Sequence, residues 1–419
     1  MIIDSILLAL IFEFKIFRGV FAGGLMKFNA LENLDLVGKS VFLRLDLNVP
    51  MNEKSEITDM TRIERSLPTL KHILKHTNKL VIASHLGRPK GKPDPKYSLE
   101  PVGKKLTELL NLEVAFVGDY MKAPVDQLLN QLGKNRIILL ENLRFYSQET
   151  DNDKSFAEKL AKGIDIYVDD AFGAMHRVHA SVAALAERFP IEKKSVGFLV
   201  KEELKALDRI RTQAEHPFTL VIGGAKVSDK VAVLLNLINS CNNIIVGGAM
   251  AYSFLHHNGV KVGRSLCEPN TEHMINSILS NAKARKVNIY LPEDHICGQS
   301  LEDSEGKIFE NNIPDDWMGL DIGPRTLERY KSIIANSRTI FWNGPMGVFE
   351  KEPFKRGTFG IAEAISKTDC FSVVGGGDSI SSINKTGLTE KFSHISTGGG
   401  ASLEYLEGKT LPGLKSLMG

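Results

Sequence analysis

Short apolar runs alternate with longer amphipathic stretches along most of the chain. The apolar runs have the length of buried strands, and the longer stretches repeat apolar positions at helical spacing, as Ile63, Leu67 and Leu70 do. The predicted strands are Ser40–Leu47, Lys79–Ser84, Arg136–Leu140, Ile164–Asp169, Phe218–Ile222, Asn243–Val246, Val287–Leu291, Arg338–Phe341 and Cys370–Val374. The predicted helices are Arg62–Thr77, Leu99–Leu110, Ser155–Lys162 and Lys201–Arg211. This alternation predicts an α/β fold of βαβ units with mainly parallel sheets covered by helices on both faces.

A domain junction is expected near Phe189–Val200. Pro190 interrupts a helical pattern there, and Gly197 adds backbone freedom before a long charged helix. Glycine usage changes at the same place, since 11 of the 36 glycines precede Gly197. The two halves of the chain are therefore expected to have different functions.

The first residues differ from the rest of the chain. Ile2–Phe12 is almost wholly apolar, but it is shorter than the roughly 20 residues that a membrane span needs. Asp4 stands where a signal peptide would carry positive charge. We interpret residues 1–25 as an extension outside the fold, with Met26 as a candidate initiator. A weak membrane or targeting segment is the alternative.

Composition narrows the class of protein. A chain of 419 residues suggests two domains, and 43% hydrophobic and 24% charged residues are ordinary globular values. The net charge of +2 argues against a dedicated nucleic-acid-binding protein. Four widely spaced cysteines form neither a disulfide framework nor a zinc ribbon, which favours a reducing, cytoplasmic location.

Three glycine clusters follow predicted strands in the second half. They are Gly223-Gly224 with Lys226 and Lys230, Gly247-Gly248, and Gly375–Gly377 with Asp378 and Ser379. A strand, then glycines, then a helix start presents free backbone N–H groups to an anion. At the carboxyl ends of strands in one open sheet, these clusters predict a phosphate site with Mg²⁺ near Asp378. The alternative for each cluster alone is a tight turn that needs glycine for its geometry.

The first half instead carries arginines near predicted strand ends, namely Arg62, Arg88, Arg144 and Arg177. Guanidinium groups bind carboxylates and phosphates through paired hydrogen bonds, so convergence on a small polyanion is one interpretation and ordinary solvated arginines the other. His176 and His179 are spaced as metal ligands would be, but polar packing is the favoured interpretation. Gly38-Lys39-Ser40 is not a Walker A motif, because Asn33 occupies its first glycine position.

Together, these motifs closely resemble those of the phosphoglycerate kinase family. They occur in family order from about residue 26 onward: Arg44–Pro50, Ser84–Pro89, Leu140–Phe145, Asp170–Arg177, Gly223–Lys230, Trp317–Pro324, Trp342–Glu350, Gly375–Asp378 and Ser396–Ala401. The resemblance implies two doubly wound, mainly parallel-sheet domains joined by a helical hinge. It places a triose-acid-binding domain at residues 26–196 plus about 402–419, and a nucleotide-binding domain at 197–401.

The resemblance also implies the reaction and its residues. The acyl phosphate of 1,3-bisphosphoglycerate passes reversibly to Mg-ADP, giving 3-phosphoglycerate and ATP in glycolysis. The acid would be bound by Asp46, Asn48, Arg62, His85, Leu86, Gly87, Arg88, Arg144 and Arg177. The nucleotide would be bound by Lys226, Lys230, Gly319, Glu350, Gly376, Gly377, Asp378 and Ser379, with Asp378 toward the metal. The catalytic roles would fall to Arg62, Lys226, Gly376 and Gly377.

Phosphoryl transfer needs positioning and charge neutralisation more than a nucleophilic residue. Because the resemblance assigns the two substrates to different domains, hinge closure is expected. We expect a monomer with no nucleic-acid or membrane partner. A non-catalytic binding or scaffold protein is the alternative, and a dinucleotide-dependent dehydrogenase would need a G-x-G-x-x-G motif that the chain lacks.

Overall fold

The computed structural model describes residues 16–21, 24–123, 125–132 and 136–418, and within them the chain forms two compact units. The first unit contains the described residues up to Lys205 together with those from Thr410 onward, and the second is Ala206–Lys409. The chain passes from the first unit to the second inside one helix, Phe198–Thr212. The domain boundaries expected from the sequence, at residues 196 and 401, stay a prediction.

The described strands and helices are numbered separately in chain order. The strands are β1 (Ile16–Phe21), β2 (Gly24–Asn29), β3 (Ser40–Leu45), β4 (Lys79–Ala83), β5 (Ala115–Val117), β6 (Arg136–Leu140), β7 (Ile166–Asp170), β8 (Lys194–Val196), β9 (Phe218–Ile222), β10 (Asn243–Val246), β11 (Asn288–Tyr290), β12 (Asp294–Gly298), β13 (Lys307–Glu310), β14 (Met318–Ile322), β15 (Thr339–Asn343), β16 (Phe371–Gly375) and β17 (His394–Ile395). The helices are α1 (Thr61–Leu74), α2 (Glu100–Leu110), α3 (Val125–Asn130), α4 (Ser147–Thr150), α5 (Lys154–Ala161), α6 (Phe198–Thr212), α7 (Val231–Leu237), α8 (Met250–His257), α9 (Glu272–Arg285), α10 (Pro324–Ala335), α11 (Arg356–Ser366), α12 (Gly377–Thr386), α13 (Gly400–Leu406) and α14 (Pro412–Leu417).

The first unit is built on a six-stranded sheet in the order β5-β6-β4-β3-β7-β8. All its neighbouring strands are parallel. Central positions such as Leu43, Ile82 and Val168 are fully buried, as expected for strands covered on both faces. The carboxyl ends of β3, β4, β6 and β7 therefore lie along one edge of the sheet. The sequence predicted these four strands but not β5 and β8, which have three residues each.

The second unit has its own six-stranded parallel sheet, in the order β11-β10-β9-β15-β16-β17. The same unit also contains a three-stranded antiparallel sheet, β13-β12-β14, which the sequence did not predict. Its outer strand β13 is largely exposed, so no apolar run marks it. A bulge between Ile296 and Cys297 also interrupts the register of β12 with β14.

The last residues pack within the first unit. Lys194 Nζ donates to the Ser416 carbonyl at 2.9 Å, and the Gly413 N–H donates to the Met175 carbonyl at 2.9 Å. Gly413 allows this close approach, because a Cβ there would lie 2.8 Å from Val182. Helix α14 is thus joined to β8 and to the segment after β7.

The N-terminal extension is only partly described. Residues 1–15, 22 and 23 lie outside the described residues, whereas the strands β1 and β2 pair antiparallel. Ser195 Oγ donates to the Asn29 carbonyl at 2.6 Å, which ties the end of β2 to β8. Among the described residues, we find no helix with the length and apolar character needed to cross a bilayer.

Candidate active site

A cavity of about 490 Å³ lies at the carboxyl edge of the first sheet. Its wall includes six of the predicted acid-binding residues, which come from loops after different strands: Asn48, His85, Gly87, Arg88, Arg144 and Arg177. Lys90 adds a further cationic side chain, and His176 and His179 also line the wall. The cavity is therefore strongly cationic, as a site for a small anion with several charges must be.

Hydrogen bonds between the loops hold this wall together. Asn48 Oδ1 accepts from the Gly87 N–H at 2.8 Å, and Arg144 Nη1 donates to the Gly87 carbonyl at 2.9 Å. Gly87 has φ of +61°, and a Cβ there would lie 2.3 Å from the Tyr97 ring. Glycine is required at this position by both its conformation and its surroundings.

Asp46 and Arg62 form an ion pair between the end of β3 and the first turn of α1. Burial by itself would raise the pKa of Asp46, but the positive charges of Arg62 and Arg44 hold it below its ordinary value. Asp46 is therefore ionised at neutral pH. The pair is close enough to His85 to influence its charge, although neither residue contributes to the wall of the cavity described above.

The charges in the cavity differ by residue type. Burial lowers the pKa of Arg144 to about 10, so the guanidinium remains protonated at neutral pH. Burial, with neighbouring arginines, lowers the pKa of His176 to about 4 and of His179 to about 3. The arginines thus supply positive charge and the two histidines are neutral.

The second unit contains a cavity of about 580 Å³ with a more apolar wall. Three predicted nucleotide-binding residues line it: Gly319, Glu350 and Asp378. Tyr252, Leu266 and Leu301 provide apolar surface, and Leu266 is 62% exposed at its rim. Apolar side chains with a few polar groups are typical of a site for a flat organic ring.

Glycine-rich loops form the polar side of this cavity. The Gly224 N–H donates to the Pro345 carbonyl at 3.0 Å, and the Gly248 N–H donates to the Met346 carbonyl at 2.9 Å. A Cβ on Gly223 would lie 2.1 Å from the Pro345 carbonyl oxygen. The loops pack backbone against backbone, which only glycine permits. The preceding strands β9, β10, β15 and β16 are in one sheet, so the predicted shared edge is confirmed.

Beside these loops lie the two predicted lysines and the start of α12. Lys230 Nζ donates to Asn343 Oδ1, and burial lowers the pKa of the ammonium group despite Asp229 and Asp378. Lys226 is exposed. Ser379 is buried, and its hydroxyl accepts from the Gly344 N–H at 2.7 Å, so it supports the loop.

The comparisons with known proteins are consistent across the chain. The family model described as phosphoglycerate kinase matches residues 31–409. The chain belongs to the phosphoglycerate kinase family. Curated relatives named phosphoglycerate kinase include one from Anaeromyxobacter sp. (strain Fw109-5), 48% identical over 94% of this chain and 100% of the relative. Another, from Leptospira biflexa, is 46% identical over 94% of this chain and 99% of the relative.

Solved structures of phosphoglycerate kinases match as well. The one from Coxiella burnetii has a TM-score of 0.83 and 37% identity, covering 93% of this chain and 98% of that chain. The one from Pyrococcus horikoshii OT3 has a TM-score of 0.76 and 33% identity, covering 92% and 98%. The resemblance, the two-domain α/β fold and the kinase class are confirmed, and the scaffold alternative is not favoured.

The phosphoglycerate kinase motifs did not point to every residue of these cavities. The predicted acid-binding residue Leu86 lies outside the cationic cavity and lines a neighbouring one, together with Asn48 and Tyr97. His176 and His179 line the cationic cavity, whereas their sequence context favours ordinary polar packing; their spacing in His176-Arg-Val-His179 is the signal that could have indicated a site. Arg44 belongs to the Arg44–Pro50 motif, but nothing in the local sequence pattern shows that it is fully buried against His85.

The described residues fit a magnesium ion that is bound mainly by phosphates. They contain no group of three or more histidine, cysteine, aspartate or glutamate side chains able to hold a metal. Asp378 is a single exposed carboxylate in the first turn of α12, beside the glycine loops. One carboxylate with nucleotide phosphates and water is the usual environment of Mg²⁺ in phosphoryl-transfer sites.

Proposed function

We propose that this chain catalyses the reversible transfer of the acyl phosphate of 1,3-bisphosphoglycerate to Mg-ADP, giving 3-phosphoglycerate and ATP. The acid occupies the cationic cavity of the first unit, and the nucleotide occupies the apolar cavity of the second. The observation that carries this proposal is the cationic wall itself, in which three loops bring together His85 with Arg88, Arg144, and Arg177.

The chemistry of the cationic cavity suits a phosphorylated acid. Arg88, Arg144 and Arg177 can each bind a phosphate or carboxylate through two parallel hydrogen bonds. The neutral imidazoles of His176 and His179 add hydrogen-bonding capacity without further charge. Asn48 supplies a polar group for an uncharged oxygen.

The nucleotide cavity suits an adenine base at its apolar end and phosphates at the glycine loops. Glu350, which is exposed at the wall, is placed to accept from ribose hydroxyls. Lys226, Lys230 and the N–H groups at Gly376 and Gly377 carry the charge and donors that phosphates require. Magnesium bound at Asp378 would neutralise phosphate charge and help to orient the leaving group.

No covalent intermediate is proposed. Burial raises the pKa of all four cysteine thiols, which are therefore protonated at neutral pH. In phosphoryl transfer, alignment of donor and acceptor and neutralisation of charge account for most of the rate enhancement. Arg62, Lys226, Gly376 and Gly377 are our candidates for neutralising charge on the migrating group. We also propose that the enzyme is monomeric and cytoplasmic. The four free cysteines support the cytoplasmic location.

A coupled assay with the full chain tests the proposal in both directions, with ATP measured in one and ADP in the other. We expect turnover that requires 3-phosphoglycerate or 1,3-bisphosphoglycerate and magnesium. The matched variants are Arg144→Ala, in the cavity wall, and Arg136→Ala, at the opposite end of β6. Turnover should be lost in the first and retained in the second. Binding of both substrates without any turnover would instead support a scaffold protein.

A further inference from the structure

A buried chain of polar groups lies behind His85 of the acid site. Arg44, Ser181 and Glu149 are all completely buried, and the proposed function assigns no ligand to any of them. Burying a guanidinium and a carboxylate is costly unless their hydrogen bonds are satisfied. The hydrogen-bond partners of these three side chains therefore indicate their role in the acid site.

Each of the three guanidinium nitrogens of Arg44 has a hydrogen-bond partner. Nε donates to Ser181 Oγ at 2.9 Å, Nη1 donates to the Leu45 carbonyl, and Nη2 lies 3.1 Å from His85 Nδ1. Ser181 continues the chain toward Glu149, because its Oγ donates to Glu149 Oε1 at 2.6 Å and its N–H donates to Oε2 at 2.9 Å. One serine hydroxyl thus connects a buried cation to a buried anion.

These contacts determine the protonation of the His85 ring. A guanidinium has donors only, so the contact with Arg44 requires an unprotonated, accepting Nδ1. Burial, assisted by the positive charge of Arg44, lowers the pKa of His85 well below its ordinary value, although Asp46 acts in the opposite direction. The ring is therefore neutral, and its single N–H proton is on Nε2.

The tautomer matters for an anionic ligand. His85 lines the cationic cavity, and with Nδ1 occupied by Arg44, Nε2 is the ring nitrogen left for a ligand. A protonated Nε2 donates to a phosphate or carboxylate oxygen. The other tautomer would direct a lone pair at that oxygen and repel it.

We propose that Arg44 is a positioning residue of the acid site, which holds His85 as the Nε2–H tautomer while Ser181 and Glu149 hold the guanidinium in place. The kinetic part of this inference rests on the proposed function. Arg44 itself acts through His85, so it needs no contact with the substrate.

The test is a long-range ¹H–¹⁵N spectrum of the full chain labelled with ¹⁵N-histidine, recorded at neutral pH. The chain has 11 histidines, and the spectrum of His85→Gln assigns the His85 resonances. In the wild-type chain we expect a protonated Nε2 and an unprotonated Nδ1. A proton on Nδ1, or on both nitrogens, overturns the proposal without any variant.

The matched variants are Arg44→Met and Tyr167→Phe. Arg44→Met removes the donor to Nδ1, so we expect loss of the single tautomer and a rise of about tenfold in KM for 3-phosphoglycerate, the size of one misplaced hydrogen bond. KM for the nucleotide should stay within twofold. Tyr167→Phe removes a buried hydroxyl that donates to the Ser181 carbonyl at 2.7 Å and whose hydrogen-bond partners include neither the guanidinium nor the imidazole. It should lower the melting temperature and leave the tautomer and KM unchanged.

An unchanged tautomer in folded Arg44→Met, or equal changes in both variants, would show that Arg44 only stabilises the fold. If Arg44→Met does not fold, Ser181→Ala replaces it, because it separates the guanidinium from Glu149, and the same loss of the single tautomer is expected. The spectrum needs no turnover. An inactive wild-type chain therefore counts against the proposed function alone, whereas a wrong tautomer counts against the role of Arg44.

Discussion

Replacing Arg62 by alanine should almost abolish turnover while leaving the fold intact. Arg62 lies in the first turn of α1 and pairs with Asp46. In the proposed reaction its guanidinium neutralises charge on the migrating phosphoryl group. The variant removes that charge and nothing from the apolar core.

The exposure of the pair sets the expected cost in stability. The Arg62 side chain is 30% exposed and that of Asp46 is 11% exposed. Ion pairs that retain contact with solvent contribute about 0.2–1 kcal/mol, but Arg62→Ala also leaves the mostly buried Asp46 carboxylate without its main partner, so the free energy of unfolding should fall by about 1–3 kcal/mol. Loss of an arginine that stabilises a transferring phosphoryl group costs about 10³–10⁵ in kcat, or about 4–7 kcal/mol of activation free energy. The two effects are therefore separable.

The assay is the coupled reaction at saturating substrates, together with urea unfolding and a nucleotide titration. The matched control is Arg65→Ala, which removes an arginine three residues along the same helix that is outside the candidate site. We expect kcat to fall by at least a thousandfold in Arg62→Ala and to change less than twofold in Arg65→Ala. The dissociation constant for ADP should be unchanged in both.

Retention of more than a tenth of the wild-type kcat in Arg62→Ala would refute the catalytic role of Arg62. A fall in stability of several kcal/mol would refute the assignment of a partly solvated ion pair. An equal loss of activity in Arg65→Ala would show that the helix, and not the guanidinium at residue 62, is responsible.

Three further predictions concern the second unit. Gly319→Ala should raise KM for ADP at least tenfold and leave KM for the acid unchanged, because the new Cβ would lie 2.0 Å from the Tyr252 hydroxyl. The control is Gly118→Ala, whose Cβ would make only an ordinary contact at 3.8 Å; the same KM for ADP in the two variants would contradict the packing at Gly319. Asp378→Asn should raise the magnesium concentration for half-maximal activity about tenfold by removing a charged oxygen ligand, whereas Asp229→Asn should not; a magnesium titration of both variants decides. Burial raises the pKa of Asp321 to about 8, so the folded chain retains a proton that the unfolded chain loses near pH 3.8, and stability should fall as pH rises between about 4 and 8. Asp321→Asn should remove up to about 1.4 kcal/mol per pH unit from that slope in urea unfolding, and an unchanged slope would contradict the shift.

The sequence predicted the strands best where burial on both faces requires an unbroken apolar run. Phe218–Ile222 and Asn243–Val246 have the predicted bounds. The antiparallel sheet was missed, because β13 is exposed and β12 is bulged, so neither has a regular pattern. Local hydrophobicity indicates which residues are buried, and it cannot indicate the pairing of strands that are exposed.

The candidate site was predicted in two different ways. Glycine clusters after strands indicated an anion site from physical reasoning alone, and the shared edge of β9, β10, β15 and β16 is as expected. For the arginines of the first unit, the residues alone left two interpretations open, convergence on a small polyanion and ordinary solvated arginines, and only the family motifs assigned them to the acid. His176 and His179 were visible in the sequence but had no signal that separated a cavity wall from ordinary packing.

The sequence by itself thus determined the class of fold, the glycine loops and the family, because each depends on short stretches of residues that are neighbours in the chain. Only the tertiary structure decided that β4 lies between β6 and β3, which brings Arg88 and Arg144 to one cavity. It alone also decided that Arg44 contacts His85 and, through Ser181, Glu149. Strand order and buried polar partners depend on contacts between residues far apart in the chain, and these exist only when the whole core has formed.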